Sequence, residues 1–280
     1  MIATAARLRR RYTGTGRYVV LSLMALFVLW PFVTLIFDSL KSNAGIGASP
    51  LTPPAHPVFS NFATAWAEGG FSVTMRNSIV ISAGTVIGVC LISGLAAYAL
   101  SQLSMPGGGG AITYLFVGSA LPVQLFLVPL FFLWTRLHLT DNLIGLIIIF
   151  WATDSPFATL LLRSYLLKIP KDFREAARLD GASEMRTFLR VILPLAWPGF
   201  LTVALISALL SWNEFFFAIT FIHNPNLRPI STSFLAFQSQ YATDWGLTSA
   251  AALFMIAPVL LLFLFLQRRF VSGLTAGGLK

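Results

Sequence analysis

The sequence has little charge and few of the side chains that build reactive centres. Only 10% of its 280 residues are charged, whereas soluble domains usually have roughly 25%. The single cysteine, Cys90, excludes an intrachain disulfide and a multi-cysteine metal site. The three histidines are scattered, and the ten acidic residues are too sparse for a Ser-His-Asp triad or a paired-carboxylate site. We therefore predict no catalytic residues and no metal site.

The sequence also lacks a phosphate-binding loop of the Gly-x-x-x-x-Gly-Lys-Ser/Thr type. The glycine run 107–110 has no lysine after it, and that lysine is the side chain that reaches the phosphates of a nucleotide. The sequence thus predicts that this chain binds no ATP or other cofactor itself.

Apolar residues dominate instead. They make up 56% of the chain, which has 25 Phe and 7 Trp, and so much apolar surface requires lipid to cover it. Six segments reach the ~20 apolar residues that cross ~30 Å of hydrocarbon. They are residues 18–37, 78–100, 111–134, 143–162, 200–222 and 247–266. The fold class predicted is an all-α integral membrane protein with six transmembrane helices. Prolines inside several of these helices predict kinks, and they are Pro31, Pro122, Pro129, Pro156 and Pro258.

The basic residues predict the orientation of these helices. Five precede the first span, seven lie in 163–190 and three follow Gln267. The other four, Lys41, Arg76, Arg136 and Arg228, lie on the opposite side of the membrane in this arrangement. The positive-inside rule therefore places both termini and the 163–197 segment in the cytoplasm. The net charge of +9 then needs no nucleic acid to explain it.

The segment 163–197 predicts a helical hairpin. Pro170 suits the first position of a helix, and Gly181 suits a left-handed helix end. Ser183 can then cap a second helix, which is expected to stop before Pro194.

Each predicted helix of the hairpin has a distinct face. One face of the first helix has mostly small side chains at helical spacing, and its members are Phe173, Ala176, Ala177, Asp180 and Gly181. One face of the second is apolar, and its members are Met185, Phe188, Leu189 and Ile192. We expect the small face to admit a partner protein closely and the apolar face to pack on the membrane helices.

The hairpin residues resemble a known motif. Glu175-Ala-Ala177, then three residues, Gly181, nine residues and Val191-Ile-Leu193-Pro194 look like the EAA motif of ABC importer permeases, which has Ile where Val191 stands. Trp212-Asn-Glu214 is similar to carbohydrate-importer permeases. The sequence after Gln267 is similar to the tail of the second membrane subunit of maltose-type importers. The glycine-rich connector after Pro106 departs from the basic connector of that family.

The resemblance implies a type I ABC importer permease fold. Residues 1–71 would form the cytoplasmic N-terminus, first helix and outer loop, 72–267 the permease domain with its coupling hairpin at 168–197, and 268–280 a cytoplasmic tail. It implies a bacterial inner-membrane subunit that forms the translocation path for a sugar with a second homologous permease. It also implies an extracytoplasmic solute-binding protein and an ATPase dimer that binds ATP and Mg. A polyol or a glycerol-phosphate-type solute remains an alternative, as do a membrane-embedded transferase and an ion channel.

The resemblance also assigns roles to individual residues. Those that would couple to the ATPase are Glu175, Ala176, Ala177, Asp180 and Gly181. Those of the tail that would reach the ATPase interface are Gly273, Leu274, Thr275, Ala276, Gly277 and Gly278. The outer loop 223–246 would contact the binding protein.

Two acids in the predicted spans are candidates for the translocation path. An ionised group in mid-membrane costs ~3 kcal/mol on insertion scales, so Asp154 and Glu214 should face the interior. With Asn213, they could contact solute hydroxyls, or they could make structural hydrogen bonds. The position beside Pro156 favours a structural role for Asp154, and for Glu214 both roles stay open.

A pair of glycines in the second predicted span favours close helix packing. Gly84 and Gly88 form a small-xxx-small pattern, which lets two helix backbones approach. We expect packing within the helix bundle rather than a dimer-forming face.

Overall fold

The computed structural model describes residues 2–237 and 243–278, with the side chains of residues 16–237 and 243–265. In this part of the chain the α-helices are α1 (Ile2–Ser39), α2 (Asn43–Ala48), α3 (Ser60–Glu68), α4 (Phe71–Gln102), α5 (Gly108–Ala120), α6 (Leu127–Arg136), α7 (Leu143–Leu166), α8 (Asp172–Leu179), α9 (Glu184–Thr187), α10 (Leu193–Leu195), α11 (Trp197–Asn213), α12 (Phe216–Phe221) and α13 (Trp245–Gly278). A π-turn, Phe188–Ile192, joins α9 to α10.

The chain divides into two compact units. One comprises Met1–Gly69 and Phe234–Ile256, and the other comprises Gly70–Ser233 and Ala257–Lys280. In the first unit the loop after α1 is fastened by Lys41, whose buried Nζ donates to Ser49 O at 2.8 Å and to Pro50 O at 3.3 Å. The buried ammonium therefore has the carbonyl partners that burial of a charge requires.

The lengths of the helices fit a membrane protein. Within the described residues, four helices are long and apolar enough to cross a membrane, at Gly16–Ser39, Phe71–Gln102, Leu143–Leu166 and Trp245–Phe265. Two bent pairs bring the number to six if each pair is one span. The predicted all-α class is confirmed. The third predicted span is bent, as its prolines predict, whereas the fifth is wrong as one continuous helix.

The third predicted span bends because of a proline. The pair Gly108–Ala120 and Val123–Arg136 meets at 90°. Leu121 has an extended backbone, with ψ at 133°, which is the conformation that Pro122 imposes on the residue before it.

The fifth predicted span, 200–222, is interrupted at an acid. Helix α11 ends at Asn213, Glu214 has φ −68° and ψ 125°, and α12 follows as a separate short helix. The chain also bends by 82° between Glu184–Leu195 and Trp197–Asn213. The run of apolar residues therefore covers a broken segment, which hydropathy alone does not reveal.

The second unit is built on α4 packed against α7. A β-carbon added at Gly88 would collide with the ring of Trp151, and one added at Gly84 would collide with the side chain of Ile147. The indole nitrogen of Trp151 donates to Gly84 O at 2.8 Å. The prediction that the small-xxx-small pattern serves packing within the bundle is confirmed.

Candidate functional site

The first helix of the hairpin begins and ends with local signals. Helix α8 starts two residues after Pro170, with Asp172 and Glu175 in its first turn, where acids favour the helix dipole. Gly181 has φ +76°. Its N–H donates to Arg178 O at 3.0 Å, and the Ala182 N–H donates to Ala177 O at 2.9 Å. This is a Schellman motif, which needs a left-handed residue at the position of Gly181.

The second helix continues further than the sequence predicts. Ser183 Oγ caps α9 by accepting from the Arg186 N–H at 3.4 Å, as expected. The predicted stop before Pro194 is wrong, since helical structure runs to Leu195. The π-turn precedes the proline, and the Leu193 N–H donates five residues back to Phe188 O. Such a wider turn makes room for a residue without an N–H.

The faces of the hairpin differ from those predicted. Ala177 is only 9% exposed, so it packs inside the hairpin, while Glu175, Ala176, Asp180 and Gly181 are exposed. On the second helix Phe188 and Ile192 are buried, but Met185 and Leu189 are about half exposed. The four residues therefore do not share one buried face.

Sequence reasoning missed one apolar residue at the end of α8. Leu179 is 90% exposed. Exposed large apolar side chains that cluster mark interaction surfaces, and Phe173, Met185 and Leu189 are also about half exposed on the hairpin. Leu179 lies off the small face, so the spacing of the small residues gave no reason to select it.

A carboxylate in the hairpin is held from two sides. Glu184 accepts from Arg174 Nη2 at 2.7 Å and from Arg174 Nε at 3.1 Å. It also accepts from Tyr98 Oη of α4 at 2.6 Å. The hydrogen bonds from Arg174, and then that from Tyr98, lower the pKa of Glu184 to about 2. The carboxylate therefore stays ionised at neutral pH.

A cavity of about 310 Å³ lies between α7, α11, the segment before α6 and the start of α12. Its polar lining residues are Gln124, Thr153, Asp154, Ser207, Ser211 and Glu214. Its aromatic lining residues are Phe150, Phe157 and Phe217. The two acids predicted for the path thus lie at one cavity. Gln124, Ser207 and Ser211 were not predicted, because a single polar residue in an apolar run carries no signal.

Glu214 combines a structural contact with a place in the cavity wall. Its carboxylate accepts from the Phe217 N–H at 2.9 Å and from the Ala218 N–H at 3.2 Å. It therefore caps the first turn of α12, whose N–H groups have no partner within the helix. Its backbone carbonyl accepts from Ser231 Oγ at 2.6 Å. The backbone break at Glu214 is thus held on both sides.

The other two predicted path residues are placed differently. Asp154 Oδ1 accepts from Thr153 Oγ1 at 3.2 Å, while its Oδ2 is buried without a hydrogen-bond partner among the described residues. Asn213 is exposed, does not line the cavity, and donates to Leu209 O at 2.8 Å. Asp154 therefore has an acceptor left over at the cavity, and Asn213 does not reach it.

The loop 223–246, predicted to be an outer loop, is anchored to the first turns of α4 through its residues 226–230. The Asn77 side chain donates to Asn226 O at 2.9 Å and to Arg228 O at 3.0 Å. Ser78 Oγ accepts from the Ile230 N–H at 2.8 Å. Part of the loop predicted to meet a binding protein, residues 238–242, lies outside the described residues, as do the side chains of the tail residues 273–278.

The sequence as a whole matches a known protein family. Residues 108–275 fit the model of the family described as binding-protein-dependent transport system inner membrane component. The chain belongs to this family. It is therefore a permease subunit of an ABC importer, the membrane component, and not itself an enzyme; ATP hydrolysis belongs to a separate subunit. The alternatives of a membrane-embedded transferase and an ion channel are thereby set aside.

Individual relatives extend the likeness to nearly the whole permease. This chain is 35% identical over 275 residues to the probable ABC transporter permease protein YurM of Bacillus subtilis, and the match covers 97% of this chain and 91% of the relative. It is 32% identical over 281 residues to the sulfoquinovosyl glycerol transport system permease protein SmoH of Agrobacterium fabrum, covering 100% of this chain and 99% of the relative.

A solved structure supports the same fold. The crystal structure of a bacterial ABC transporter involved in the import of the acidic polysaccharide alginate has a chain that superposes with a TM-score of 0.77 at 25% identity. The match covers 93% of this chain and 97% of that chain. The permease thus has the type I ABC importer fold, and the family implies in general terms a second permease, an ATPase and a binding protein.

Proposed function

We propose that this permease forms, with a second homologous permease, the translocation path for a sugar or short oligosaccharide. The observation that carries the proposal is the cavity lined by Asp154 and Glu214. Carboxylate, amide and hydroxyl oxygens accept hydrogen bonds from sugar hydroxyls, while aromatic rings cover the apolar faces of the solute. The relatives' names mention sulfoquinovosyl glycerol and alginate. Both are glycosides, which favours a sugar over a free polyol or a glycerol-phosphate-type solute.

The solute class is tested on the binding protein that delivers it. The partner binding protein is purified from the source cells without added solute, denatured, and its released small molecule is identified by mass spectrometry. A mono- or oligosaccharide is the expected result. An amino acid, a peptide or an inorganic anion would overturn the assignment.

We further propose that the hairpin is the coupling element of this permease. Glu175, Ala176, Asp180 and Gly181 would meet the ATPase, with Ala177 supporting them from inside the hairpin. The exposed Leu179 adds an apolar contact to this surface.

ATP and Mg²⁺ would be bound by the ATPase dimer alone. The permease domain would span residues 72–267, between an N-terminal segment 1–71 and a tail 268–280.

The topology proposed is that of an inner-membrane protein with both termini in the cytoplasm. In a Cys90→Ser background, single cysteines are introduced at Met185 of the hairpin and at Ala55 of the loop after α1, both exposed. An impermeant maleimide should label Ala55→Cys in intact cells and Met185→Cys only after lysis. Labelling of both positions in intact cells would contradict the topology, which rests on the distribution of basic residues.

The tail is proposed to assist coupling to the ATPase. Deleting residues 273–280 should leave the permease inserted and assembled, while ATP hydrolysis stimulated by the loaded binding protein falls. The measurement is hydrolysis by the reconstituted complex, with membrane insertion checked by the maleimide assay. The first and last residues of a chain are often poorly ordered and without a role. Unchanged stimulation in the truncated complex would show that residues 273–280 have no role in coupling.

A further inference from the structure

The inner end of α4 is bonded to the hairpin although the two are far apart in sequence. Tyr98 and Glu184 are 86 residues apart and share a hydrogen bond of 2.6 Å. The same carboxylate oxygen accepts from Arg174 Nε at 3.1 Å, and the other accepts from Arg174 Nη2 at 2.7 Å. One carboxylate therefore joins α4, α8 and α9. We call these three residues, Tyr98, Arg174 and Glu184, the junction.

The junction is partly shielded from solvent. Tyr98 is 4% exposed, and its ring lies 5.3 Å from that of Phe188 between centroids. The Arg174 side chain is 15% exposed and that of Glu184 41%. Charge-assisted and bidentate bonds are shorter and stronger than neutral ones. The contact is thus more than a surface ion pair.

Further bonds fasten the last turn of α4 to the segment that enters the hairpin. Gln102 Nε2 donates to Leu166 O at 2.7 Å and to Ile169 O at 3.3 Å. Arg163 Nε donates to Leu100 O at 3.2 Å. These bonds hold α4 against the end of α7, whereas the junction holds it against the hairpin itself.

We propose that the junction makes α4 move with the hairpin as one body, so that Tyr98 and Glu184 are positioning residues for coupling. The hairpin is covalently continuous only with α7 and α11. Because α4 packs on α7 through Gly84 and Gly88, a displacement of the hairpin without α4 would shear a close-packed contact. Packed elements joined by discrete bonds move as units instead. This inference rests on the proposed coupling role of the hairpin.

The test uses variants that remove the junction with little change in shape. Tyr98→Phe removes one hydroxyl and keeps the ring against Phe188, and Glu184→Gln keeps the volume but removes the charge. Tyr114→Phe, at an exposed tyrosine, and Arg186→Gln, at an exposed arginine of the hairpin, are the matched controls. Each is assembled with the second permease and the ATPase dimer in liposomes, and the probe is the binding protein purified from the source cells with its own solute.

The expected result is loss of stimulation without loss of assembly. Copurification of the ATPase and basal hydrolysis should stay at the wild-type level for both variants. The ratio of stimulated to basal hydrolysis should fall about tenfold for Glu184→Gln, because losing a hydrogen bond to a charged group changes an equilibrium constant by about tenfold or more. The fall should be smaller for Tyr98→Phe, which removes only one of the bonds to Glu184. Both controls should retain the wild-type ratio.

A distance measurement separates positioning from a merely structural role. Spin labels are attached to cysteines introduced at Ser104, just after α4, and at Met185, both exposed, in a Cys90→Ser background. The distance between the labels should be the same with and without bound nucleotide in the wild type and should change with nucleotide in Tyr98→Phe. An unchanged distance and a wild-type stimulation ratio in both junction variants would overturn the proposal.

A separate variant distinguishes failure of the junction from failure of the coupling role proposed for the hairpin. Gly181→Leu tests whether the hairpin binds the ATPase. Gly181 is not part of the junction, and a β-carbon built there lies more than 4 Å from the junction residues. If Gly181→Leu loses the ATPase while both junction variants couple normally, only the junction is refuted. If Gly181→Leu keeps the ATPase and its coupling, the proposed coupling role of the hairpin fails.

Discussion

Replacing Gly181 by leucine is expected to abolish solute transport and to loosen the ATPase from the permease. At φ +76° a residue with a β-carbon is strained by ~1–2 kcal/mol, because its β-carbon approaches the next carbonyl oxygen. The Schellman bonds that end α8 depend on this backbone conformation. Apart from its two chain neighbours, no atom of the described residues lies within 4 Å of a β-carbon built at this position. A leucine side chain would therefore project outward, into the surface proposed to meet the ATPase.

A second substitution at the same position separates the two causes. Asparagine adopts the left-handed conformation more readily than other residues with a side chain, so Gly181→Asn adds bulk with less strain. If docking is the limiting factor, Gly181→Asn should lose the ATPase nearly as completely as Gly181→Leu. If strain is the cause, Gly181→Asn should lie close to the wild type. Both are measured by copurification of the ATPase and by stimulated hydrolysis in liposomes.

Neighbouring alanines serve as controls for the docking surface. Ala176 is exposed and Ala177 is buried inside the hairpin. Ala177→Trp should thus disrupt the hairpin and lower the thermal stability of the isolated permease, while Ala176→Trp should leave that stability unchanged and still weaken ATPase binding. Glu175→Ala should be milder than either, since an exposed ion pair is worth less than ~1 kcal/mol. Wild-type coupling in Gly181→Leu and Ala176→Trp together would rule out docking at this surface.

Local signals predicted the hairpin well. The turn at Gly181 and the cap at Ser183 are each set by the conformational preference of one residue, and both are present. The predicted helix start at Pro170 is wrong by two residues, since α8 begins at Asp172. The end of the second helix was not predictable in this way. Pro194 stops a regular helix, but the preceding π-turn lets the chain continue, and nothing in a single sequence announces a π-turn.

Features that depend on distant parts of the chain were out of reach. Tyr98 reads as one more residue of an apolar helix, and only folding brings it to Glu184. Hydropathy identified the apolar segments but not the break at Glu214, because it occurs inside an apolar run. The burial of Ala177 was also missed, since spacing defines a helix face without saying which neighbour covers it.

The break at Glu214 explains why structural and path roles need not compete. A carboxylate has several acceptor sites, and the N–H groups of Phe217 and Ala218 leave others free toward the cavity. The same side chain can thus hold the start of α12 and present an acceptor to a solute. Substitutions that keep or remove the acceptor should separate these roles.

Glu214→Leu is expected to prevent assembly of a functional permease. The substitution leaves the N–H groups of Phe217 and Ala218 without their acceptor, and both residues are buried. Each unsatisfied buried donor costs ~1–3 kcal/mol, and the substitution leaves two of them at the start of α12. The yield of monodisperse complex in size-exclusion chromatography should therefore collapse.

Glu214→Gln is expected to separate path from scaffold. Its amide oxygen still accepts from the start of α12, so the complex should assemble at the wild-type level. Charge-assisted hydrogen bonds are roughly twice as strong as neutral ones, and the loss of such a bond to a solute hydroxyl should lower uptake into liposomes about tenfold at unchanged basal ATP hydrolysis. Asn213→Leu is the matched control, since Asn213 is adjacent in sequence but lies outside the cavity wall. Normal uptake by Glu214→Gln would leave Glu214 a capping role alone, and normal assembly and uptake by Glu214→Leu would remove both roles.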